Sequence, residues 1–235
     1  WMIDTVMPFA VNAYREIGEL LSIDIIHQRN ILDFHPTPQM QQAFDERLPQ
    51  EPDYLKKVED IDYWRQYFNF PFGVGETDPC WLIDIKLLLS SWRNFLLQKE
   101  MLIEEEFDCT QTIAQDTNVI FAEGINGLEN PYFSLLPYSK CKGEALLIEI
   151  ENNLPRNRIY KNGIIMVPWK KENQWWVGSS YEWYFTDTMP SQKFRMQKEL
   201  QLGLILKHPF KIIDHLSSVR PTNLERRPFV GTHPI

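Results

Sequence analysis

Four apolar segments between residues 143 and 180 constrain the fold more than any other feature of the sequence. In the first segment, Leu146, Ile148 and Ile150 lie on one face and Glu149 and Glu151 on the other, which is typical of a strand with one face in water. Two later segments flank Asn162-Gly163, and Asn-Gly is the strongest short signal for a hairpin turn. The pattern therefore predicts an antiparallel meander.

Helices and strands alternate on both sides of this meander. The opening helix repeats apolar residues such as Val6, Phe9 and Leu20 at the spacing of one buried face. The other predicted elements are strands within 23–34, helices at 39–47 and 61–68, a turn-rich break at 72–79, a strand at 80–83, a helix at 84–98, strands at 101–107 and 118–123, a helix at 191–207, and strands at 210–218 and 228–231. Strands that alternate with a helix indicate an α/β part with at least one parallel strand.

Composition limits the classes of function. The chain has 235 residues, 43% of them hydrophobic, which is enough to bury a sizeable core. Its net charge of −8 disfavours a nucleic-acid partner, because phosphate binding needs clustered cations. Three widely spaced cysteines form no disulfide framework or metal-ligand pair, so we expect no metal and a reducing, cytoplasmic setting. The most apolar stretch, 81–97, contains charged residues, which excludes a membrane span.

Three stretches carry a family resemblance through their order and spacing. They are Gly75-Glu76-Thr77-Asp78-Pro79 before the helix at Asp84, Asn118 to Gly124 followed by Lys142-Gly143-Glu144, and Val219-Arg220-Pro221-Thr222 followed by Arg226 to Gly231. Together with the meander between the second and third, they resemble FAD-dependent oxidoreductases of the D-amino-acid oxidase and glycine oxidase family.

The resemblance implies an α+β fold: an antiparallel substrate-side sheet with helices, plus part of an α/β flavin-binding, Rossmann-like sheet. It divides the chain into residues 1–74 on the substrate side, 75–125 on the FAD-binding side, 126–209 as the antiparallel substrate-binding sheet and helix, and 210–235 returning toward the FAD-binding side. The family begins with a G-x-G-x-x-G unit that holds the FAD pyrophosphate, and no such triplet occurs among the 10 glycines here. We therefore expect an incomplete fold, an interior portion that needs an N-terminal FAD-binding segment as its partner.

The implied function is oxidation of a small amine or amino acid by hydride transfer to FAD, a reaction in which the cofactor carries the chemistry and no catalytic side chain is required. A second interpretation is a non-catalytic binding or scaffold module derived from this fold. A third interpretation is the activity of relatives that act on modified tRNA bases. The acidic net charge of the chain disfavours it.

Arg220 is the sharpest candidate for a site residue. The resemblance implies that an arginine before a proline at this point pairs with the substrate carboxylate, and a guanidinium fork suits a carboxylate bidentately. Tyr181 and Trp183, which follow the meander, are expected to line the substrate pocket, although aromatic residues at such positions often serve packing alone. His215 and His233 are interpreted as structural residues.

Four further residues are predicted to contact the cofactor. Ala122 and Gly124 end a predicted strand, and small residues there would let a cofactor approach the backbone closely. Lys142 and Gly143 are expected near the flavin by resemblance. Arg226 and Arg227 are interpreted as solvated surface residues rather than as ligands of the cofactor phosphate.

Overall fold

The computed structural model describes residues 3–109, 117–151, 154–223 and 228–232. The helices in these ranges are α1 (Ile3–Leu21), α2 (Pro38–Arg47), α3 (Ile61–Arg65), α4 (Ile85–Gln98) and α5 (Gln192–Ile205), with a short 3₁₀ helix at Gly124–Leu128. The strands are β1 (Ile26–Gln28), β2 (Asn30–His35), β3 (Leu55–Lys57), β4 (Gly73–Thr77), β5 (Trp81–Ile83), β6 (Tyr138–Ile150), β7 (Arg158–Lys161), β8 (Ile165–Pro168), β9 (Gln174–Gly178) and β10 (Phe210–Asn223).

Eight strands form one mixed sheet in the order β10-β6-β9-β8-β7-β2-β4-β3. Within it β2 and β7 run parallel, and every other neighbouring pair is antiparallel. Strands β1 and β5 form a separate two-stranded sheet. The mixed class of the fold is therefore confirmed, with helices and a large, mainly antiparallel sheet. The predicted meander forms β7, β8 and β9 of this sheet. The Rossmann-like part remains a prediction.

One face of the large sheet forms the hydrophobic core. Alternate residues of β6, starting at Leu146, point into it together with Trp175 of β9 and Tyr160 of β7. Helix α5 covers this face through Phe194 and Leu202. Burying each large apolar side chain contributes about 1.5–3 kcal/mol to the free energy of unfolding. This core face therefore stabilises the sheet as a whole, including the residues on its opposite face.

Side-chain caps fix where four of the helices begin, and Asp60 is the cap of α3. Thr37 accepts a hydrogen bond from the backbone of Met40 at the start of α2, and Asp84 does the same for Leu87 at the start of α4. Ser191 caps α5 in the same way. Such caps are worth about 1 kcal/mol each, and they explain why the helix starts predicted from sequence are confirmed within a residue or two.

The predicted turn-rich break at 72–79 is wrong, because residues 73–77 form β4 inside the large sheet. Its glycines allow α2 to approach the sheet. A Cβ at Gly73 would lie 1.6 Å from Gln41 Oε1, and one at Gly75 would lie 2.2 Å from Phe44 Cζ. Close helix packing, rather than a turn, explains these glycines.

The strands predicted at 101–107, 118–123 and 228–231 are also wrong. The described residues of these segments form neither helix nor strand. A strand needs a hydrogen-bonded neighbour, and no strand of either sheet pairs with them in the described ranges. The first two segments are held by aromatic contacts instead, with the rings of Phe107 and Phe121 6.0 Å apart.

The opening helix is confirmed, but the face predicted to be buried is only partly covered. Val6 and Phe9 are 56% and 74% exposed, whereas Ala13 and Ile17 of the same face are half-buried. Helix α1 contacts α4 and β1. Periodicity identifies an amphipathic helix without showing what covers its apolar face. No described helix is both long enough and apolar enough to cross a membrane.

Candidate substrate-binding face around Arg220

Arg220 lies on β10 and projects from the face of the sheet opposite the core. Its direct partner on β6 is Cys141, and paired residues share a face of a sheet. Gly143 is two residues further along β6, so it lies on the same face. A Cβ at Gly143 would lie 2.0 Å from Arg220 Nη2. The guanidinium therefore rests on backbone that only glycine leaves open.

The loop after β9 holds the guanidinium from its other sides. Nη1 donates to the carbonyl oxygen of Ser180 at 3.1 Å, and Nη2 donates to the hydroxyl of Ser179 at 2.9 Å. The ring of Tyr181 lies with its centroid 4.8 Å from Arg220 Cζ, a cation–π distance. Nη1 also donates to the sulfur of Cys141 at 3.9 Å. These three hydrogen bonds use three of the five N–H donors of the half-buried guanidinium, which leaves two for a ligand.

A row of paired residues runs across four strands beside Arg220. Ala145 pairs with Leu216 on one side and with Gly178 on the other, and Gly178 pairs with Ile165. The side chains of this row are small in the middle and large at both ends. The indole of Trp176 lies over Gly178, where a Cβ would meet it at 2.8 Å. The middle of the row is buried, and its two ends, Leu216 and Ile165, are 37% and 38% exposed. The row is therefore apolar, with the Arg220 cation beside it.

Lys142 projects from the opposite face and reaches a separate cavity. This cavity of about 710 Å³ is lined by Lys142, by residues 182–187 and by residues 189–191. The Lys142 ammonium has carboxylate oxygens of Glu144, Glu182 and Asp187 at 3.7, 3.8 and 3.9 Å. Strand alternation separates Lys142 from Gly143, although they are neighbours in sequence.

The structure thus brings three predicted residues together and places four elsewhere. Arg220, Gly143 and Tyr181 form one group, whereas Lys142 and Trp183 both line the cavity of the opposite face. Ala122 and Gly124 are exposed, and the strand they were predicted to end is absent from residues 117–123. A Cβ at Gly124 would meet no atom within 4 Å. Their contact with a cofactor remains a prediction, without the strand on which it was based.

Sequence reasoning missed Glu144 and the two serines of the loop. Glu144 is 2% exposed; its carboxylate accepts hydrogen bonds from the Ser191 hydroxyl at 2.8 Å and the Ser191 backbone at 2.6 Å. The signal was present, because Glu144 shares the alternation of Leu146, and a carboxylate on a core face requires partners. Nothing in the sequence alone marks Ser179 or Ser180 as partners of Arg220.

His215 is a packed structural residue, as predicted. Its ring stacks on Phe194 at 5.5 Å, and Nε2 lies 2.9 Å from Glu144 Oε2. Arg226, Arg227 and His233 lie outside the described residues.

Comparison with known proteins relates the chain to oxidases by fold. No family model matches the sequence. Glycine oxidase from Geobacillus kaustophilus superposes with a TM-score of 0.74 at 15% identity, covering 97% of this chain and 68% of that one. Iminodiacetate oxidase from Chelativorans sp. gives 0.69 at 13% identity, covering 94% and 69%. L-α-glycerophosphate oxidase from Mycoplasma pneumoniae, with FAD bound, gives 0.57 at 12% identity, covering 85% and 63%. The chain has part of this oxidase fold.

Proposed function

We propose that this chain is the substrate-binding part of an FAD-dependent oxidoreductase that oxidises a small amine or amino acid. The observation that carries the proposal is the guanidinium of Arg220, fixed between Gly143 and Tyr181 at the edge of an apolar sheet face. The likeness in fold to amino-acid and amine oxidases supports the class of reaction. The three free cysteines support a reducing compartment such as the cytoplasm.

Arg220 would hold the substrate by its carboxylate. A planar guanidinium fork binds two carboxylate oxygens in parallel. A hydrogen bond to a charged group contributes about 1.5–3 kcal/mol to the free energy of binding. Ser179 and Ser180 already fix the plane of the fork, so little side-chain entropy is lost when a ligand binds. The apolar row beside it would take the remainder of a small substrate, with Tyr181 at its border. Trp183, which lines the opposite cavity, fits a substrate-lining role less well.

The described residues fit FAD only in part. A flavin ring would lie against the substrate held at Arg220 and the apolar row, and it would supply acceptance of a hydride from the substrate's Cα. The nucleotide end has no such fit, because Ala122 and Gly124 are exposed and form no cradle for a diphosphate. The proposal therefore includes a further nucleotide-binding segment, and the residues described here act on the substrate alone.

The exposed turn at Ala122–Gly124 favours a second candidate, a non-catalytic binding module that keeps the sheet without the cofactor. Titration with FAD separates the two functions. A bound oxidised flavin absorbs near 450 nm (a rough value set by the cofactor), and retention of this absorbance after gel filtration, with the nucleotide-binding segment present, supports the oxidoreductase. A chain that retains no FAD under those conditions supports the binding module.

The Arg220 assignment is tested with propionate and its uncharged analogue propionamide. We expect Arg220→Ala to weaken propionate binding by a factor of about ten or more, since about 1.4 kcal/mol corresponds to a factor of ten, and to leave propionamide binding unchanged. Arg220→Lys, which keeps the charge and loses the fork, should give an intermediate result. Equal losses for propionate and propionamide in calorimetric titrations would remove the anchor role.

A further inference from the structure

The loop between β9 and α5 passes from one face of the large sheet to the other. At its start, Ser179, Ser180 and Tyr181 surround the guanidinium of Arg220. One residue later, Glu182 pairs with Lys142 through two backbone hydrogen bonds of 2.9 Å. From there to Ser191 the loop lines the cavity of the opposite face. The position of Tyr181 therefore depends on how the rest of the loop is held.

The Lys142 ammonium is the charged centre of that attachment. Its side chain is only 5% exposed, and it faces Glu182 and Asp187 of the loop at 3.8 and 3.9 Å. These carboxylates are 45% and 65% exposed, so the ammonium reaches them from inside the sheet. A buried ammonium is costly unless carboxylates compensate it. Glu144 supplies one carboxylate from the strand itself, and loop conformations that keep Glu182 and Asp187 close supply two more.

Glu144 holds the far end of the loop. It lies two residues along β6 from Lys142 and binds the backbone and hydroxyl of Ser191, the residue that caps α5. Its Oε1 is 3.7 Å from the Lys142 ammonium. Two alternate positions of β6, on the same face, therefore fix both the middle and the end of the loop. Lys142 itself cannot touch a ligand beside Arg220, because it projects from the other face.

We propose that Lys142 is a positioning residue whose ammonium, acting through Glu182 and Asp187, keeps Tyr181 over the guanidinium of Arg220. The consequence for binding rests on the proposed function, in which Arg220 holds a carboxylate. The placement of Tyr181 does not rest on it and can be measured separately.

The test follows the NMR signal of the Arg220 Nε–H group in the full chain, assigned by its loss in Arg220→Lys. The Tyr181 ring shifts this signal, and Tyr181→Ala defines its value without the ring. We expect Lys142→Met to move the signal toward the Tyr181→Ala value and to weaken propionate binding about threefold, the scale of a partly exposed ion pair. Lys142→Arg, which keeps the charge, should restore both.

A second variant approaches the same contact from the loop and leaves the core intact. Glu182→Gln combined with Asp187→Asn removes both loop charges at exposed positions, and it should reproduce the Lys142→Met shift even if Lys142→Met fails to fold. Glu199→Gln, an exposed change on α5, is the matched control and should leave the signal unmoved.

The outcomes separate the two levels of the proposal. A wild-type signal in the Glu182→Gln/Asp187→Asn variant overturns the positioning role. A moved signal with no propionate binding by the wild-type chain upholds the positioning role and removes the carboxylate function of Arg220. A moved signal with unchanged propionate affinity shows that Tyr181 does not contribute to the site, which overturns the link between Lys142 and binding.

Discussion

At the scale of single residues, the absence of a side chain at Gly143 decides where Arg220 can lie. The backbone of Gly143 is not in the left-handed region, so glycine is required at this position for its lack of a side chain. The guanidinium occupies the volume of a Cβ. An arginine before a proline can be recognised in the sequence, but the glycine beneath it becomes meaningful only when β6 and β10 are paired in register.

We expect Gly143→Ala to displace the guanidinium and to weaken propionate binding by about the same factor as Arg220→Ala, because the new methyl group would overlap the fork. The matched control is Gly203→Ala in α5, where a Cβ meets no atom within 4 Å; it should bind propionate normally and gain about 0.5–1 kcal/mol of stability. Calorimetric titration and urea unfolding measure the two effects. Normal propionate binding by Gly143→Ala would show that the fork does not need its observed position.

At the scale of elements, the same physical requirement explains the strand that sequence reasoning missed. Glycines at 73 and 75 beside Pro79 are typical of a turn, and only the approach of Gln41 and Phe44 from α2 shows why they belong to a strand. The meander was predictable because alternation and the Asn162-Gly163 turn are local signals. The segments at 101–107 and 118–123 have the composition of strands, but pairing is not local, and the composition of a segment does not specify its partner.

The packing of α2 on β4 predicts a specific coupling. Gly75→Ala should reduce the free energy of unfolding by about 1–3 kcal/mol, because its methyl group overlaps the Phe44 ring. In the Phe44→Ala background the same substitution should cost much less, since the ring is gone. A double-mutant cycle by urea unfolding measures the coupling. Additive effects of the two substitutions would contradict the contact.

At the scale of the whole molecule, the large sheet separates stability from binding. Its core face carries Tyr160, Trp175 and the residues under α5, whereas its other face carries Arg220 and the apolar row. The core could be predicted from alternation in β6, as Leu146, Ile148 and Ile150 are all buried. The separation of Tyr181 from Trp183 could not, because it depends on the path of the loop after β9.

Stability should fall at high pH because of Tyr160. Burial raises the pKa of this phenol, whose hydroxyl donates to the carbonyl oxygen of Pro155 at 2.5 Å. In the unfolded chain the phenol ionises near pH 10 (roughly the reference value), while the folded chain keeps the proton, so folding becomes less favourable above that pH. The Tyr160→Phe variant should lose about 1 kcal/mol at pH 7 for the missing hydrogen bond.

The comparison between wild type and Tyr160→Phe isolates this residue from the other tyrosines. The gap in unfolding free energy between the two proteins should narrow as pH rises above about 10. Urea unfolding from pH 7 to pH 11 measures it. A constant gap would mean that Tyr160 ionises equally in the folded and unfolded chains.

A crystal structure of the chain with propionate distinguishes Arg220 from Lys142 as the carboxylate ligand, because each cation lies on its own face of the sheet. We expect both carboxylate oxygens at hydrogen-bond distance, about 2.7–2.9 Å, from the guanidinium of Arg220, with the methyl end toward the apolar row. A carboxylate bound instead at the Lys142 ammonium, with the Arg220 side empty at saturating propionate, would contradict this expectation.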